Sequence, residues 1–371
     1  AKVPCKVEKL QSWEAGEDLP TISQMKKLCA AYRRPLSVFY LPEPPRDFQT
    51  IRDFRKSNNE AGFSTALTFM IRELQSRQSW ARDILLSENS ERLPFIGKYA
   101  VNDNINAIAA DIKSYINIDK CIHSKKPIDS LIEECENIGI FVSRTGNIHA
   151  KLGLDRDEVK GFALSDEYAP YIYVNSSDYD NSQKFTLVHE LCHLWINSTG
   201  VSSGSYAELR STPEEFDEIE VFCNAITAEI LMPTQRMGEL VAEIVPLGER
   251  ISINYIDQLA KVMAVSSLAI SIRLLNLGFL KQSEYHVIKK ALDIRHEEYI
   301  EIERAKKEKM KESEGGPDYY VMQIRRYSRM FSSLVYGYYK SGIISSTTAS
   351  GLLNIKINNF GNFEKKLFPT I

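Results

Sequence analysis

Hydrophobic positions recur at helical spacing along most of the chain, and one interval near the middle breaks that rhythm. At the N-terminus, Val7 to Gly16 predicts a short helix ended by a glycine cap. Thr21 is placed to cap a second helix from Ile22 to about Tyr32, with Leu28 and Ala31 facing inward. Pro42, Pro44 and Pro45 mark a boundary. Two further amphipathic helices are expected, over Ser64 to about Ser87 and Asn104 to Tyr115. A helix from Ile128 to Asn137, stopped by Gly139, leads into three β-like runs, Ile140–Val142, Val159–Leu164 and Tyr171–Asn175.

An unusually apolar helix follows, with Asp180, Asn181 or Ser182 as its cap and its end at or just before Gly200. A Ser- and Gly-containing loop over 200–213 precedes a helix that starts at Pro213-Glu214-Glu215 and stops at Pro233. Two more helices fall in Ile253–Met263 and Ser267–Leu277. Beyond 278 the pattern is a helical tail: a mixed-charge run from Arg295 to Glu314, a break at Gly315-Gly316-Pro317, one apolar-aromatic helix from Tyr319 to Tyr338, and a capped piece at Ser345–Leu353. The expected fold class is therefore α+β, predominantly α. Its parts are an N-terminal segment 1–45, a helical scaffold 46–125, a mixed domain 126–277 and a C-terminal helical region 278–371.

Composition narrows the class without naming a function. At 43% hydrophobic and 26% charged residues, the 371-residue chain has the balance of a globular protein. A net charge of −3 gives no global attraction to nucleic acid or to a membrane surface. No apolar run is long enough to span a bilayer, and no membrane partner is expected. The six cysteines contain no C-x-x-C pair and read as free thiols of a reducing, cytoplasmic compartment.

The candidate chemistry lies in the apolar helix. His189-Glu190-Leu191-Cys192-His193 puts two imidazoles one turn apart on one face, where they can share a zinc ion. Glu190 between them can take a proton from water activated by that metal. A third ligand must come from elsewhere. Among the acids that follow, Glu208, Glu214, Glu215, Asp217, Glu218, Glu220 and Glu229, Glu220 is the last before a largely apolar segment. That pattern favours it modestly over Glu218 or Glu229. Tyr173, Tyr206 and Arg210 are candidates to stabilise an oxyanion, and Asn224 to support Glu220. Cys192 reads as a structural thiol, and His123 and His149 as solvent-exposed loop residues.

Two resemblances sharpen this reading. Phe185-Thr186-Leu187-x-His189-Glu190-Leu191-x-His193-Leu194, followed by Glu220-x-x-Cys223-Asn224-Ala225-x-x-Ala228-Glu229-Ile230-Leu231-Met232-Pro233, resembles the ImmA/IrrE family of metallopeptidases, as do Gly161–Leu164, Ala169-Pro170 and Val174-Asn175. The resemblance implies a zincin-like, thermolysin-type core, with Zn2+ on His189, His193 and Glu220 and with Glu190 as general base. Thr227 departs from it, standing where family members commonly carry a small apolar residue.

Trp13-Glu14-x-Gly16 with Pro20-Thr21, Gln24, Leu28 and Tyr32–Leu36 resembles the second half of a Cro/repressor-type (XRE) helix-turn-helix. That family's first helix, and most of its second, would have to precede Ala1. DNA binding is therefore expected only with those further helices; otherwise the segment is a packing remnant or a homodimer contact. Together the resemblances imply a zinc endopeptidase that cuts a protein, a helix-turn-helix repressor or antitoxin, and so regulates a mobile element, a stress response or a toxin–antitoxin pair. The competing reading is a DNA-binding regulator or toxin component whose zinc domain senses a partner without cutting. The plainest alternative is a structural protein with a chance H-E-x-x-H.

Overall fold

The computed structural model describes residues 5–32, 36–41, 52–53, 63–149, 152–197, 200–202, 218–311 and 318–369. The chain divides into two compact units, Ala1–Thr50 and Ile51–Ile371.

The first unit holds α1 (Val7–Glu14) and α2 (Ile22–Tyr32). Gly16 closes α1 with φ +74°, as the glycine cap requires. Thr21 and Gln24 form a reciprocal capping box on α2: the Gln24 amide donates to Thr21 Oγ1 (3.3 Å) and the Thr21 amide to Gln24 Oε1 (2.9 Å). Leu28 is buried, while α1 buries none of its side chains. The side chain of Ala31 and the prolines at 42, 44 and 45 lie outside the described residues.

The second unit is organised around a five-stranded sheet. Its strands are β1 (Arg52–Asp53), β2 (Phe141–Arg144), β5 (Gly161–Leu164), β6 (Tyr171–Val174) and β7 (Gly200–Ser202), in the order β1-β7-β5-β6-β2. β5 runs antiparallel to both β6 and β7, and β2 parallel to β6. A separate hairpin joins β3 (Asn147–His149) to β4 (Leu152–Gly153). His149 therefore sits in a short strand rather than in the connecting loop expected for it; a Gly-Asn start masks the strand in the local pattern.

Side chains alternate across the sheet in β2, β5 and β6. Val142, Ala163, Ile172 and Val174 enter one core; Phe141, Phe162, Leu164, Tyr171 and Tyr173 enter the other. The first core takes α4 (Ile105–Tyr115), α5 (Ile118–Ile122), α6 (Pro127–Asn137), α7 (Asp180–Trp195) and α8 (Glu218–Leu231). It also takes α9 (Thr234–Ile244), α10 (Ile253–Met263), α11 (Ser267–Asn276) and the first turns of α12 (Gln282–Lys311). The second core takes α3 (Thr65–Ser87), α13 (Tyr319–Tyr327), α14 (Arg329–Lys340), α15 (Ser346–Leu353) and α16 (Phe360–Leu367). The polar helix before the mixed domain and the last four helices of the tail thus build one helical layer on the far face of the sheet.

The single helix expected over Tyr319–Tyr338 is two, broken at Ser328. That residue has φ +73° and caps α14 through Oγ, which accepts from the Phe331 amide at 3.2 Å. Ser328 Oγ also donates to Glu136 at the end of α6. The Gly315-Gly316-Pro317 break lies outside the described residues. Among the described residues no single helix is long and apolar enough to cross a membrane; α10 and α11 pass such a test only as a pair bent by 103°.

Candidate metal centre

α7 is buried at every residue from Gln183 to Trp195, which is why its sequence reads as apolar on all sides. The sheet covers it through β5 and β6, and α8 packs along it. Its last turn is anchored by Trp195, which stacks on Phe95 at 4.4 Å and donates from Nε1 to Asp111 at 2.9 Å. Its first turn begins after Tyr179, with none of Asp180, Asn181 or Ser182 acting as the cap. Ser182 instead donates to Asp178 in the loop before the helix.

α7 presents His189 and His193 on one face with their Nε2 atoms 3.1 Å apart. α8 brings Glu220 in its first turn to the same point: Oε2 lies 3.2 Å from His189 Nε2 and Oε1 3.0 Å from His193 Nε2. All three side chains are buried, and they form the one group of three or more His, Cys, Asp or Glu residues, among the described residues, able to hold a metal ion. The other two acids weighed for the third position go elsewhere. Glu218 is exposed, and Glu229 pairs with Arg273 and accepts from the Thr234 amide at 3.0 Å. Glu208, Glu214, Glu215 and Asp217 lie outside the described residues, as does the expected helix start at Pro213.

The donor set fits a tetrahedral metal. Ligand atoms about 2.0–2.1 Å from zinc at tetrahedral angles are about 3.3 Å from one another, close to the 3.1 Å between the two imidazole nitrogens and to the 3.2 and 3.0 Å from His189 and His193 to one oxygen each of Glu220. Electrostatics agree. Burial pushes the Glu220 carboxyl up, but the neighbouring charge and hydrogen bonds of His189 and His193 outweigh it and hold the group down at about 2. A carboxylate enclosed in this way demands positive charge beside it, from protonated imidazoles or from a cation.

Around the donors the packing fixes orientation. Phe185, one turn before His189, stacks on its ring at 6.0 Å. Cys223 Sγ lies 3.7 Å from His193 Nδ1, on the side of the ring away from the shared point. Thr227 uses its hydroxyl within the core, donating to the Cys223 carbonyl oxygen at 2.7 Å. Cys192 is a buried structural thiol, as its position off the histidine face implies; its Sγ contacts the Val188 carbonyl oxygen, and burial pushes it up to about 12. Asn224 is buried one turn after Glu220, and its Oδ1 has no hydrogen-bond partner among the described residues.

Glu190 is fully buried beside β5. A Cβ built on Gly161 would lie 3.0 Å from Glu190 Oε1, 2.9 Å from the Tyr173 carbonyl oxygen and 2.5 Å from Thr186 Cγ2. Only glycine lets the strand and the motif helix approach this closely. Cys223 and Gly161 carry no assigned role in the sequence reading. Cys223 could have been found from its i+3 spacing after Glu220, whereas Gly161 depends on a contact between strand and helix that no local pattern encodes.

Tyr173 is not an oxyanion donor. The two-residue period of β6 turns it to the opposite face of the sheet, where it stacks on Phe162 at 4.9 Å and donates to the Thr145 carbonyl oxygen at 2.7 Å. Tyr206 and Arg210 lie outside the described residues. His123 is exposed at the end of α5, as expected.

No curated protein gives a significant match to the chain. The segment spanning β5, β6, α7 and α8 is, however, recognisable: residues 135–275 match the family model described as the IrrE N-terminal-like domain, Peptidase_M78, which supports placing the mixed domain in the ImmA/IrrE family and suggests a metallopeptidase.

Proposed function

We propose that the chain is a zinc-dependent endopeptidase acting on a protein, with His189, His193 and Glu220 as metal ligands and Glu190 as general base. The observation that carries the reading is the convergence of three buried donors from two helices to within 3.0–3.2 Å, with the carboxylate of the intervening glutamate on the same helix. Zinc in such a donor set supplies Lewis acidity, acidifying water and polarising a carbonyl. The chain's own contribution is positional. α7 and α8 bring the buried donors together, and Glu190 takes the proton from the attacking water and returns it to the leaving amine.

The substrate we infer is a helix-turn-helix repressor or antitoxin, and the setting is cytoplasmic. The α1–α2 segment with its Trp13–Gly16 turn supports the first, and the six free cysteines support the second. DNA binding by that segment would need the family's remaining helices.

Metal analysis of the purified chain tests the site: about one zinc per chain is expected, falling well below that in Glu220→Ala. Incubation of the zinc-loaded protein with the repressor encoded beside it tests the activity. Cleavage that vanishes in Glu190→Gln supports proteolysis. No cleavage, with a cellular effect that Glu190→Gln leaves intact, points to the sensing alternative.

A further inference from the structure

The sheet edge nearest Glu190 is already occupied. β5 brings its main chain close to that carboxylate at Gly161. One edge of β5 is taken along its full length by β6, from Gly161 opposite Val174 to Leu164 opposite Tyr171. The other is taken by β7, which returns from the end of α7 and pairs Gly200 with Ala163, Val201 with Phe162 and Ser202 with Gly161. An extended peptide that pairs with β5 at Gly161 would bring its carbonyls beside the Glu190 carboxylate, and β6 already holds one side of that strand. The edge it needs is the one β7 holds.

We propose, building on the peptidase reading above, that β7 is an intramolecular occupant of the peptide-binding edge, a resident strand that an incoming extended segment displaces. Three features make β7 suited to exchange. It is three residues long, so few ladder bonds hold it. Two of those residues are glycine and serine, and glycine in particular favours strands poorly. On its outer side it pairs, among the described residues, with the two residues of β1. Main-chain pairing in an antiparallel ladder is indifferent to side chains, so an incoming strand can replace β7 bond for bond. The resident strand therefore excludes peptides that cannot outcompete it and keeps the site closed in their absence.

The test reads binding rather than hydrolysis. A fluorescein-labelled peptide with the sequence of residues 197–206 is titrated into the full-length chain in a Glu190→Gln background, with Val201 intact or replaced. Val201→Pro removes a backbone donor and opposes pairing, whereas Val201→Gly only weakens the strand. The expected result is an affinity at least tenfold higher in Val201→Pro than in the parent, with Val201→Gly between them. Bound peptide should also slow hydrogen exchange at the amides of residues 161–163. If Val201→Pro does not fold, the comparison of Val201→Gly with the parent carries the test. Equal affinity across the series, no binding in any variant, or exchange protection confined to other residues overturns the proposal. The two ideas fail separately: the expected binding order without hydrolysis by the zinc-loaded chain sinks the peptidase reading, whereas hydrolysis with a flat binding order sinks only strand exchange.

Discussion

Glu73 on α3 and Arg326 on α13 are 253 residues apart in the chain and 2.8 Å apart in space. Their pairing joins the helix before the mixed domain to the first described helix after its last charged run. Arg77 pairs with the same carboxylate at 3.3 Å, and the Tyr327 hydroxyl donates to it at 3.2 Å. The Arg77 guanidinium also lies 3.9 Å above the Tyr327 ring and donates to the Leu352 carbonyl oxygen at 3.1 Å. Charge here serves to align three helices, α3, α13 and α15, on the far face of the sheet.

This network predicts an acid-sensitive stability. Burial pushes the Glu73 carboxyl up, but the charges of Arg77 and Arg326 outweigh it and hold the group below its ordinary value of 4.5. A depressed carboxyl contributes stability above its unfolded pKa and loses it as pH falls through the folded one. Urea unfolding at neutral pH should show Glu73→Gln destabilised by roughly 2–3 kcal/mol, less than for a fully enclosed pair because Glu73 keeps 24% exposure. Below about pH 4.5 the difference from wild type should shrink. A difference that stays constant down to pH 3 would remove Glu73 as its source.

Gly161→Ala tests the contact between sheet and motif helix. The added methyl meets Thr186 Cγ2, a backbone carbonyl and the Glu190 carboxylate together. We expect a loss of about 1–3 kcal/mol in thermal or urea unfolding, as for overpacked cores. Thr186→Ser in the same chain removes the nearest of the three contacts and should restore part of that loss. If Gly161→Ala is neutral, the close approach of β5 to α7 is wrong.

Cys223→Ala probes the support of His193. Losing a partner behind a metal-bound histidine commonly lowers metal affinity about 10–100-fold, and a 3.7 Å thiol contact belongs at the lower end of that range. Competition with a zinc chelator measures the change. Cys192→Ala, which alters a thiol of similar burial whose contacts are Val188 and Thr227 rather than His193, serves as the control and should leave affinity unchanged.

Glu229→Gln addresses the turn after α8. Arg273 donates from Nε to the Met232 carbonyl oxygen at 3.0 Å and from Nη2 to both Glu229 and Thr234 Oγ1. Weakening the charge on Glu229 leaves a largely enclosed guanidinium poorly paired. About 1–3 kcal/mol of stability should be lost, with zinc content unchanged. Loss of zinc in parallel would instead place Glu229 among the groups that hold the site.

Much of the site was legible because it is local. The histidine spacing follows from one helical turn, and Glu220 stands at the border of an apolar segment whose burial forces any carboxylate to find a partner. β5 and β6 were legible as aromatic and branched runs bounded by turn residues. β7 was not, since Gly200-Val201-Ser202 has the composition of a loop and becomes a strand only by pairing with β5. The break between α13 and α14 was equally hidden. The apolar rhythm continues across Ser328, and the break is held by its bonds to Phe331 and Glu136, the latter 192 residues away. Tyr173 failed as a candidate for a different reason: sequence places it near the site, but strand parity turns it to the other core.

The three donors do not come from equally firm ground. His189 and His193 lie in the interior of α7, whereas Glu220 lies in the first turn of α8, where the leading amides have no partner within the helix. Helix ends fray, so a metal bridging the two helices ties a loose end to a fixed one. Occupancy and the winding of that first turn then become a single equilibrium. With the proposed metal bound, the centre would act as a clamp on the first turn of α8 as well as a place for chemistry, and the supply of metal would set how firmly that turn is wound.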